Sequence, residues 1–403
     1  MPPTADVRLD LATLLLIPRS IWSLGLVSLL MDVSSEMIHA LLPVYLVSVM
    51  ETSNLTVGVV EGLGEATANI TKIFSGAISD WMGRRKFVTA LGYGLAALSK
   101  PLFALAPNPG WILAARLIDR LGKGVRDAPR DALIADLTPE RVRGAGFGLR
   151  QALDTVGGFI GPLLAILFMW AMGNHYTFVF WIAVIPAFLS MAFMIFGVQE
   201  PESVGKVPKA AAPFGRAAFV RLGAAYWMIV FVGTVFALAQ FSTAFLILKA
   251  RAAGLPVALA PLVLITMNVV FALGAYPAGV LSDRGNRGQL LTWGLVFLML
   301  ADFALALSSN LLGVAVGIVL WGLFLAFTQG VLPAMIADSA PAELRGTAYG
   351  VFNFATGVAL LAASAVAGAL WDAYGSTATF LAGAGFAILS LIGLTTARGR
   401  MGP

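Results

Sequence analysis

Charged side chains that lie inside long apolar runs are the residues of this chain best suited to chemistry. Asp32, Glu36 and His39 follow one another at spacings of four and three, which places all three on one face of a helix. Carboxylates held away from water can bind and release a proton, and carboxylates beside an imidazole can also ligate a divalent metal ion. The pattern therefore predicts a proton-coupling or substrate site, with a metal site at these three residues as the alternative.

Acids and bases occur in equal numbers inside the apolar runs between residues 32 and 154. The acids are Asp32, Glu36, Glu61, Glu65, Asp119 and Asp154, and the bases are Lys72, Lys100, Arg116, Arg120, Lys123 and Arg150. Several of them come out about 12–16 Å from the nearest predicted helix end, near the middle of a bilayer. An unpaired charge at that depth costs at least about 2.5–3.5 kcal/mol, so the matched numbers predict ion pairs.

Two interpretations of these charges remain open. In one, they form a structural ion-pair network that joins the helices. In the other, a carboxylate exchanges protons because its proton affinity changes with its contact to Arg116 or Arg120. Asp119 stands beside basic residues, which favours a structural role. Asp32 shares its helix face only with an acid and a histidine, so it is the better candidate for a proton carrier.

Membrane-spanning helices are the elements that must position these residues. Apolar residues make up 59% of the chain and charged residues 12%, so a soluble fold could not cover the apolar surface. The predicted fold class is an all-α membrane protein with twelve transmembrane helices in two six-helix halves, residues 1–198 and 222–403, joined by a cytoplasmic linker, 199–221. The spans are predicted near residues 21–50, 55–79, 87–107, 111–130, 144–170, 176–198, 222–248, 256–281, 290–308, 311–337, 346–371 and 376–395.

The same sequence patterns occur in both halves. An apolar run ends with Gly76 and Asp80 in the first half and with Gly279 and Asp283 in the second, 203 positions later. A second pair of similar segments follows in the same order, at 135–144 and 337–346. Two repeated motifs in one order indicate a duplicated membrane half, an organisation that many secondary transporters have.

The distribution of charge orients the chain and excludes other classes of protein. Eighteen basic residues fall in loops and tails on one side of the predicted membrane, and two, Lys249 and Arg251, fall on the other. Both termini are therefore predicted to be cytoplasmic, in an inner-membrane protein. Bases dispersed in this way do not indicate nucleic-acid binding. The sequence has no Gly-rich phosphate loop and no credible catalytic triad, so no cofactor and no enzymatic activity are predicted.

The loop after the second predicted span resembles, residue by residue, the signature loop of the major facilitator superfamily at Gly76, Asp80, Gly83, Arg84 and Arg85. Through the repeat, the resemblance covers the whole chain and implies the major facilitator fold. It also implies a gating role, in which Asp80 accepts the N-terminal amides of helix 11, beginning near Gly346, and breaking this contact opens the inner side. Asp283 occupies the corresponding position in the second half.

The fifth predicted helix resembles the antiporter signature of the same superfamily at Gly148, Gly157, Gly161 and Pro162. Ala165 and Ile166 stand where that signature has its last two glycines. The resemblance implies the drug/proton antiporter-like subgroup, whose members are efflux transporters. Residues of low bulk would also let this helix pack closely on a neighbour.

These patterns together predict a proton-coupled secondary transporter that exports a small organic or amphiphilic compound by alternating access. Its expected partners are the substrate, protons and the lipid bilayer, and its expected state is a monomer. Export of a divalent metal ion, or of an anionic metal chelate or organic acid, remains the alternative. The second half is expected to supply an aromatic wall opposite the charged one, from Tyr226, Trp227, Phe231, Phe236, Phe241, Trp321, Phe324 and Phe327.

The predicted topology places Ser53 and Ser309 outside and Ser203 inside. The chain has no native cysteine. Cysteines introduced at Ser53 and Ser309 are therefore expected to react with a membrane-impermeant maleimide in intact cells, and one at Ser203 only after the membrane is permeabilised. Labelling of position 203 in intact cells would overturn the topology.

Overall fold

The structure, a computed structural model, consists of helices and connecting loops, with no β-strand among the residues that it describes. These residues are 16–139, 142–199, 221–284, 287–329, 331–341 and 344–401. The side chains of Asp80 and Asp283, in the two repeated motifs, lie outside the described part of the molecule.

The described part of the first half contains seven helices. They are α1 (Arg19–His39), α2 (Leu42–Ser48), α3 (Asn54–Met82), α4 (Arg85–Leu105), α5 (Pro109–Leu137), α6 (Arg143–Ala171) and α7 (Tyr176–Gly197).

The described part of the second half contains eight α-helices and one short 3-10 turn, Val257–Leu259. The helices are α8 (Gly223–Ala239), α9 (Ala244–Ala252), α10 (Leu262–Arg284), α11 (Arg287–Leu307), α12 (Leu311–Thr328), α13 (Val331–Ser339), α14 (Arg345–Tyr374) and α15 (Ser376–Met401).

Ten stretches of the described helices are long and apolar enough to cross a membrane. The two remaining long helices, α3 and α5, have 29 residues each, or about 43 Å of helix, but they carry more charge. Counted with them, the helices give the twelve predicted spans. The fold class, an all-helical membrane protein of two six-span halves, is therefore confirmed.

Three predicted spans, 21–50, 222–248 and 311–337, are each divided into two helices. The first divides at 40–41, and Pro43 then lies in the first turn of α2, where its missing amide hydrogen costs least. The second divides at 240–243, where the amide of Ser242 donates to the hydroxyl of Ser364 on α14, 3.1 Å away, instead of to a carbonyl of its own helix. Spacing of apolar residues alone did not predict these breaks.

Capping residues set the ends of the two charged helices. The Ser53 hydroxyl accepts the amide of Thr56 at the start of α3, and Asn108 accepts the amide of Trp111 at the start of α5. Gly83 ends α3 with φ of 61°, a left-handed conformation that glycine adopts without strain. This requirement explains one glycine of the signature loop by backbone geometry alone.

Packing divides the helices into two bundles of the same design. In the first, α1 packs on α6 and α7, and α5 packs on α3 and α4. In the second, α8 packs on α14 and α15, and α12 packs on α10 and α11. The domain boundaries at 198 and 222 remain a prediction, since most of the linker, 200–220, lies outside the described residues.

The antiparallel pair of α3 and α14 is the most extensive contact between the bundles. We call the end of the bundle that holds residues 83–84 and 198–199 the linker side, and the end that holds 49–53 and 375 the far side. Glycines bring the two backbones close over most of the length of the pair. From the far side to the linker side, the facing residues are Gly58 and Ser364, Gly62 and Leu361, Ala66 and Gly357, and Ile73 and Gly350.

At the far side, a carboxylate from one half caps a helix of the other. Asp372, near the end of α14, accepts hydrogen bonds from the backbone amides of Asn54 at 2.9 Å and Leu55 at 2.8 Å, and from the Asn54 side chain at 2.8 Å. These amides belong to the first turn of α3 and have no partner within their own helix. Negative charge at this position also interacts favourably with the helix dipole, so Asp372 joins the halves at the far side.

Replacing Asp372 with asparagine is expected to weaken this junction and to favour forms that are open at the far side. At an exposed helix end the carboxylate is worth about 0.5–1 kcal/mol, so the population ratio should change about two- to fivefold. Spin labels at Leu105 and Ser309, both exposed at far-side helix ends, would report the change as longer distances.

The control is Glu51→Gln, which removes an exposed far-side acid with no recorded ion pair. Identical distance distributions in Asp372→Asn and in the control would show that Asp372 does not hold the far side closed.

Candidate functional site

The interface between α3 and α5 contains the shortest of the buried ion pairs that the structure records. Arg116 of α5 donates to Glu61 of α3 at 2.5 Å, and the two side chains are only 2% and 9% exposed. A second acid, Glu65, lies one turn further along α3 and 3.9 Å from the same guanidinium. The predicted face of Glu61 and Glu65 is thus the face that meets α5.

Arg120, one turn along α5 from Arg116, links three helices. Its guanidinium lies 3.3 Å from Glu65 of α3 and 2.9 Å from Nδ1 of His39 at the end of α1. Space for both arginines depends on Gly64, because a Cβ atom there would lie 3.1–3.2 Å from each of the two side chains. The side chains of Arg116 and Arg120 therefore point from α5 toward α3 and α1.

Asp119 is held from two further sides. Lys100 of α4, which is completely buried, donates to Asp119 at 2.7 Å and to Ser35 of α1 at 2.9 Å. The Nε2 atom of His39 lies 3.4 Å from the other Asp119 oxygen. This geometry agrees with a structural role for Asp119. Ser35 was not among the predicted residues, since a serine inside an apolar run carries no distinguishing signal.

His39 is buried at the centre of this network. Only 8% of its side chain is exposed, and both ring nitrogens lie within 3.3 Å of the Arg120 guanidinium. The break after α1 carries the chain on into α2, so that the end of α1 lies inside the bundle.

The alternative metal site is not formed in the described part of the molecule. Glu36 lies 3.7 Å from His39, but no group of three acids, histidines or cysteines among the described residues is placed to hold a metal ion. A divalent cation would also be repelled by Arg120, whose guanidinium lies 2.9 Å from Nδ1 of His39. The geometry thus disfavours Asp32, Glu36 and His39 as a ligand set.

Asp32 differs from most of the other acids because no ion pair or hydrogen bond is recorded for it. It is partly exposed, in the middle of α1. An acid and a base lie on α6, the helix that packs on α1. Asp154 of α6 is itself paired with Arg150 one turn earlier, at 2.7 Å. A carboxylate without a fixed partner is free to exchange a proton.

Gly157 and Gly161 of the antiporter-like segment bring α6 against α1 at the level of two acids. A Cβ atom at Gly157 would lie 2.6 Å from the Leu29 carbonyl and 3.0 Å from the Cβ of Asp32. One at Gly161 would lie 2.8 Å from the Cβ of Glu36. Any larger residue would push α6 away from Asp32 and Glu36.

The other two residues of that segment have less specific surroundings. Pro162 is buried inside α6. Gly148 has open space around it, so packing does not explain the glycine there.

Two acids of the network, Glu65 and Glu36, are more exposed than the arginines of α5. The Glu65 side chain is 43% exposed and Glu36 28%, against 7% for Arg120 and 2% for Arg116. Lys100 is fully buried, while Lys72 and Lys123, closer to the linker side, keep some exposure. Arg116 and Arg120 present little positive charge to their surroundings, because acids of α3 lie against both.

The signature loop makes a connection that the sequence did not predict. Arg85 donates to Asp136 near the end of α5 at 2.6 Å and to the carbonyl of Ala132 at 3.2 Å. Asp136 recurs in the second half as Asp338, whereas Gly288 occupies the position that corresponds to Arg85, so the repeat gave no signal for this pair. Arg84 is exposed, and a Cβ atom at Gly76 would lie 3.4 Å from the Cβ of Ala128, an ordinary contact distance.

The expected aromatic wall of the second half is mainly a packed core. Phe241 contacts Trp321 with ring centroids 5.3 Å apart, and Phe324 contacts both Phe236 and Trp321. These side chains are at most 5% exposed, whereas Phe231 is 61% and Trp227 40% exposed. The four buried rings therefore fill the space between helices and do not face an open site.

Comparison with known proteins agrees with this architecture. A family model described as Major Facilitator Superfamily matches residues 24–356 and 230–400. An uncharacterized MFS-type transporter of Methanocaldococcus jannaschii is 31% identical over 384 residues, 92% of this chain and 93% of the relative. The multidrug resistance protein MdtH of Photorhabdus laumondii is 32% identical over 155 residues, which cover 38% of this chain and 37% of that protein.

A solved structure shows the same fold. The chain superposes on a POT family transporter in complex with 5-aminolevulinic acid with a TM-score of 0.80, at 14% identity, over 97% of this chain and 100% of the other. The matched family and these relatives are transporters and not enzymes. This chain is accordingly a multi-pass membrane transporter, and it belongs to the Major Facilitator Superfamily.

Proposed function

We propose that this transporter exports a small organic or amphiphilic compound in exchange for protons, as a monomer in the inner membrane. Asp32 carries the proton in this proposal. The observation that supports it most directly is that Asp32 has no recorded ion pair while most acids around it are paired. Protonation of a carboxylate that is paired with a base leaves that base as an unpaired buried charge, which is costly. Protonation of Asp32 breaks no recorded ion pair.

The position of Asp32 suits this role. It lies in the middle of α1, where α6 approaches at Gly157. In this superfamily fold, the two halves rock against each other around a central site. A carboxylate at that depth can take up a proton from one side and release it to the other when the accessible side changes.

The exposed acids favour a cationic or amphiphilic substrate over an anionic one. Glu36 and Glu65 expose their side chains in the middle of the bundle, while Arg116 and Arg120 are covered. Competition between a cation and protons for the same acids would couple export to proton entry. The partial match to a multidrug resistance protein supports the same class of substrate.

Gating is proposed to occur at both ends of the α3–α14 pair. Asp80 lies seven residues beyond Ile73, and Ile73 faces Gly350 of α14. Two turns in the antiparallel direction bring Asp80 level with the beginning of α14. The proposed contact of Asp80 with the N-terminal amides there would mirror the contact that Asp372 makes with α3 at the far side. With both termini in the cytoplasm, the linker side is the inner side.

Asp32→Asn is expected to abolish export driven by a proton gradient and to leave substrate binding largely intact. Asparagine keeps the size of the side chain but cannot bind a proton at neutral pH. The measurement uses proteoliposomes with an imposed pH gradient, ethidium as the probe cation, and a pH-sensitive dye for proton movement. Glu51→Gln, an exposed acid at the far side, is the control.

Undiminished gradient-driven export by Asp32→Asn would show that Asp32 is structural and direct attention to Glu36 and Glu65. Loss of divalent-metal binding with intact proton coupling would favour the metal alternative instead. Faster transport of an organic anion than of ethidium by the wild type would favour the anionic alternative.

Asp80→Asn is expected to reduce transport while leaving expression and membrane insertion unchanged. Without the charge, the proposed contact with α14 is weaker, and forms open at the linker side become more populated. Labelling of a cysteine at Ile73, which faces α14, should become faster. Wild-type transport and labelling rates in this variant would mean that the signature loop has no gating role here.

A further inference from the structure

Asp302 on α11 is a buried carboxylate in the second half for which no ion pair is recorded. None of its surface is exposed, and neither of its oxygens has a hydrogen-bond partner among the described residues. In the first half, by contrast, the buried acids Glu61 and Asp119 each bind a base. An ionised carboxylate without a partner is very costly to bury, whereas a protonated acid is neutral and can itself donate a hydrogen bond.

The surroundings of Asp302 are apolar and close. A Cβ atom at Gly383 of α15 would lie 2.6 Å from Oδ2 of Asp302 and 2.8 Å from the Phe241 ring, so acid, glycine and ring meet at one point. Phe241 packs in turn on Trp321 and on Phe380, with ring centroids 5.3 Å and 5.5 Å apart. Only glycine at position 383 leaves room for the carboxyl group of Asp302.

The helices packed against α11 bring no described base into contact with Asp302. The sequence of α12 contains no charged residue. The described base that contacts α15 is Lys249 of α9, which donates to the Ser376 hydroxyl at 3.1 Å. Ser376 lies about 10 Å along α15 from Gly383. The remaining charged residues of these elements are near the linker side, at Asp283, Arg284, Arg287, Asp338, Arg398 and Arg400.

Phe241, which covers the acid, lies in the break between α8 and α9. Within this break, the amide of Ser242 is bonded to Ser364 of α14, and the carbonyl of Ser364 lies against Gly58 of α3. The α3–α14 pair joins the two halves, so a movement of one half against the other reaches the break through these contacts.

We propose that Asp302 is a second proton-binding site, covered by Phe241 in this conformation and opened to water when the break between α8 and α9 moves. On opening, the O–H bond of the carboxylic acid breaks, the proton passes to water and the carboxylate keeps the electron pair. The ligand of this site is a proton alone. The site does not depend on the identity of the exported compound or on the role of Asp32.

Infrared difference spectroscopy of the purified protein, without substrate, tests this proposal. The spectrum of wild type minus Asp302→Asn is expected to contain the carbonyl stretch of a protonated carboxylic acid, and this band should shift after transfer to D2O. Asp32→Asn should retain the band. Circular dichroism and size-exclusion chromatography establish that each variant is folded.

A second variant tests the cover without touching the acid. Phe241→Ala leaves the carboxyl group in place and removes the ring beside it, so deuterium exchange of the band should become faster. Asp302→Glu should restore a protonated-acid band that is missing in Asp302→Asn.

Two results would overturn the proposal. Absence of the band in the wild type would mean that Asp302 is ionised, and a band that never shifts in D2O would mean a sealed structural acid. Since no substrate is used, either failure would leave the export proposal standing, and loss of export in Asp32→Asn would not bear on Asp302.

Discussion

The ion pair of Arg116 and Glu61 shows the constraint on which the whole first half depends. A guanidinium inside an apolar bundle is costly unless an acid lies within bonding distance, and Glu61 lies 2.5 Å from Arg116. The same requirement binds Arg120 to Glu65 and Lys100 to Asp119, and thereby draws α3, α4, α5 and the end of α1 together. Removing one partner of such a pair would leave a buried charge, at a cost of about 3–5 kcal/mol. These pairs therefore set the positions of the helices that surround Asp32.

Arg116, Arg120 and Lys100 are each paired with an acid in this scaffold, whereas two other acids on α1 are not paired with a lysine or arginine. Asp32 and Glu36 lie where α6 approaches α1 most closely, at Gly157 and Gly161, and neither is paired with a lysine or arginine. In the second half, the buried acid Asp302 is surrounded by aromatic and apolar side chains and not by bases. The two halves thus share one helical design but differ in how they treat a buried acid.

The α3–α14 pair connects these two environments. Glycines let the backbones approach over most of their length, and a carboxylate at the end of one helix meets the amides at the start of the other on the far side. Contacts of this kind are strong enough to hold an end closed yet weak enough to exchange during transport. Through Ser364, the same pair touches the break at Ser242.

The sequence by itself determined the number and approximate bounds of the spans, because apolar runs of bilayer length leave no other fold. Of the charges that it placed inside the spans, Glu61, Lys100, Arg116, Asp119 and Arg120 are buried and paired, whereas Lys72 is exposed and Asp32 has no recorded ion pair. Only the tertiary structure decided the partners: His39 with Arg120, Lys100 with Ser35, and Arg85 with Asp136. Partners of this kind lie on different helices, and spacing along one helix contains no information about the rotation or depth of its neighbour. For the same reason, the isolation of Asp302 is a property of the packed bundle and cannot be read from α11 alone.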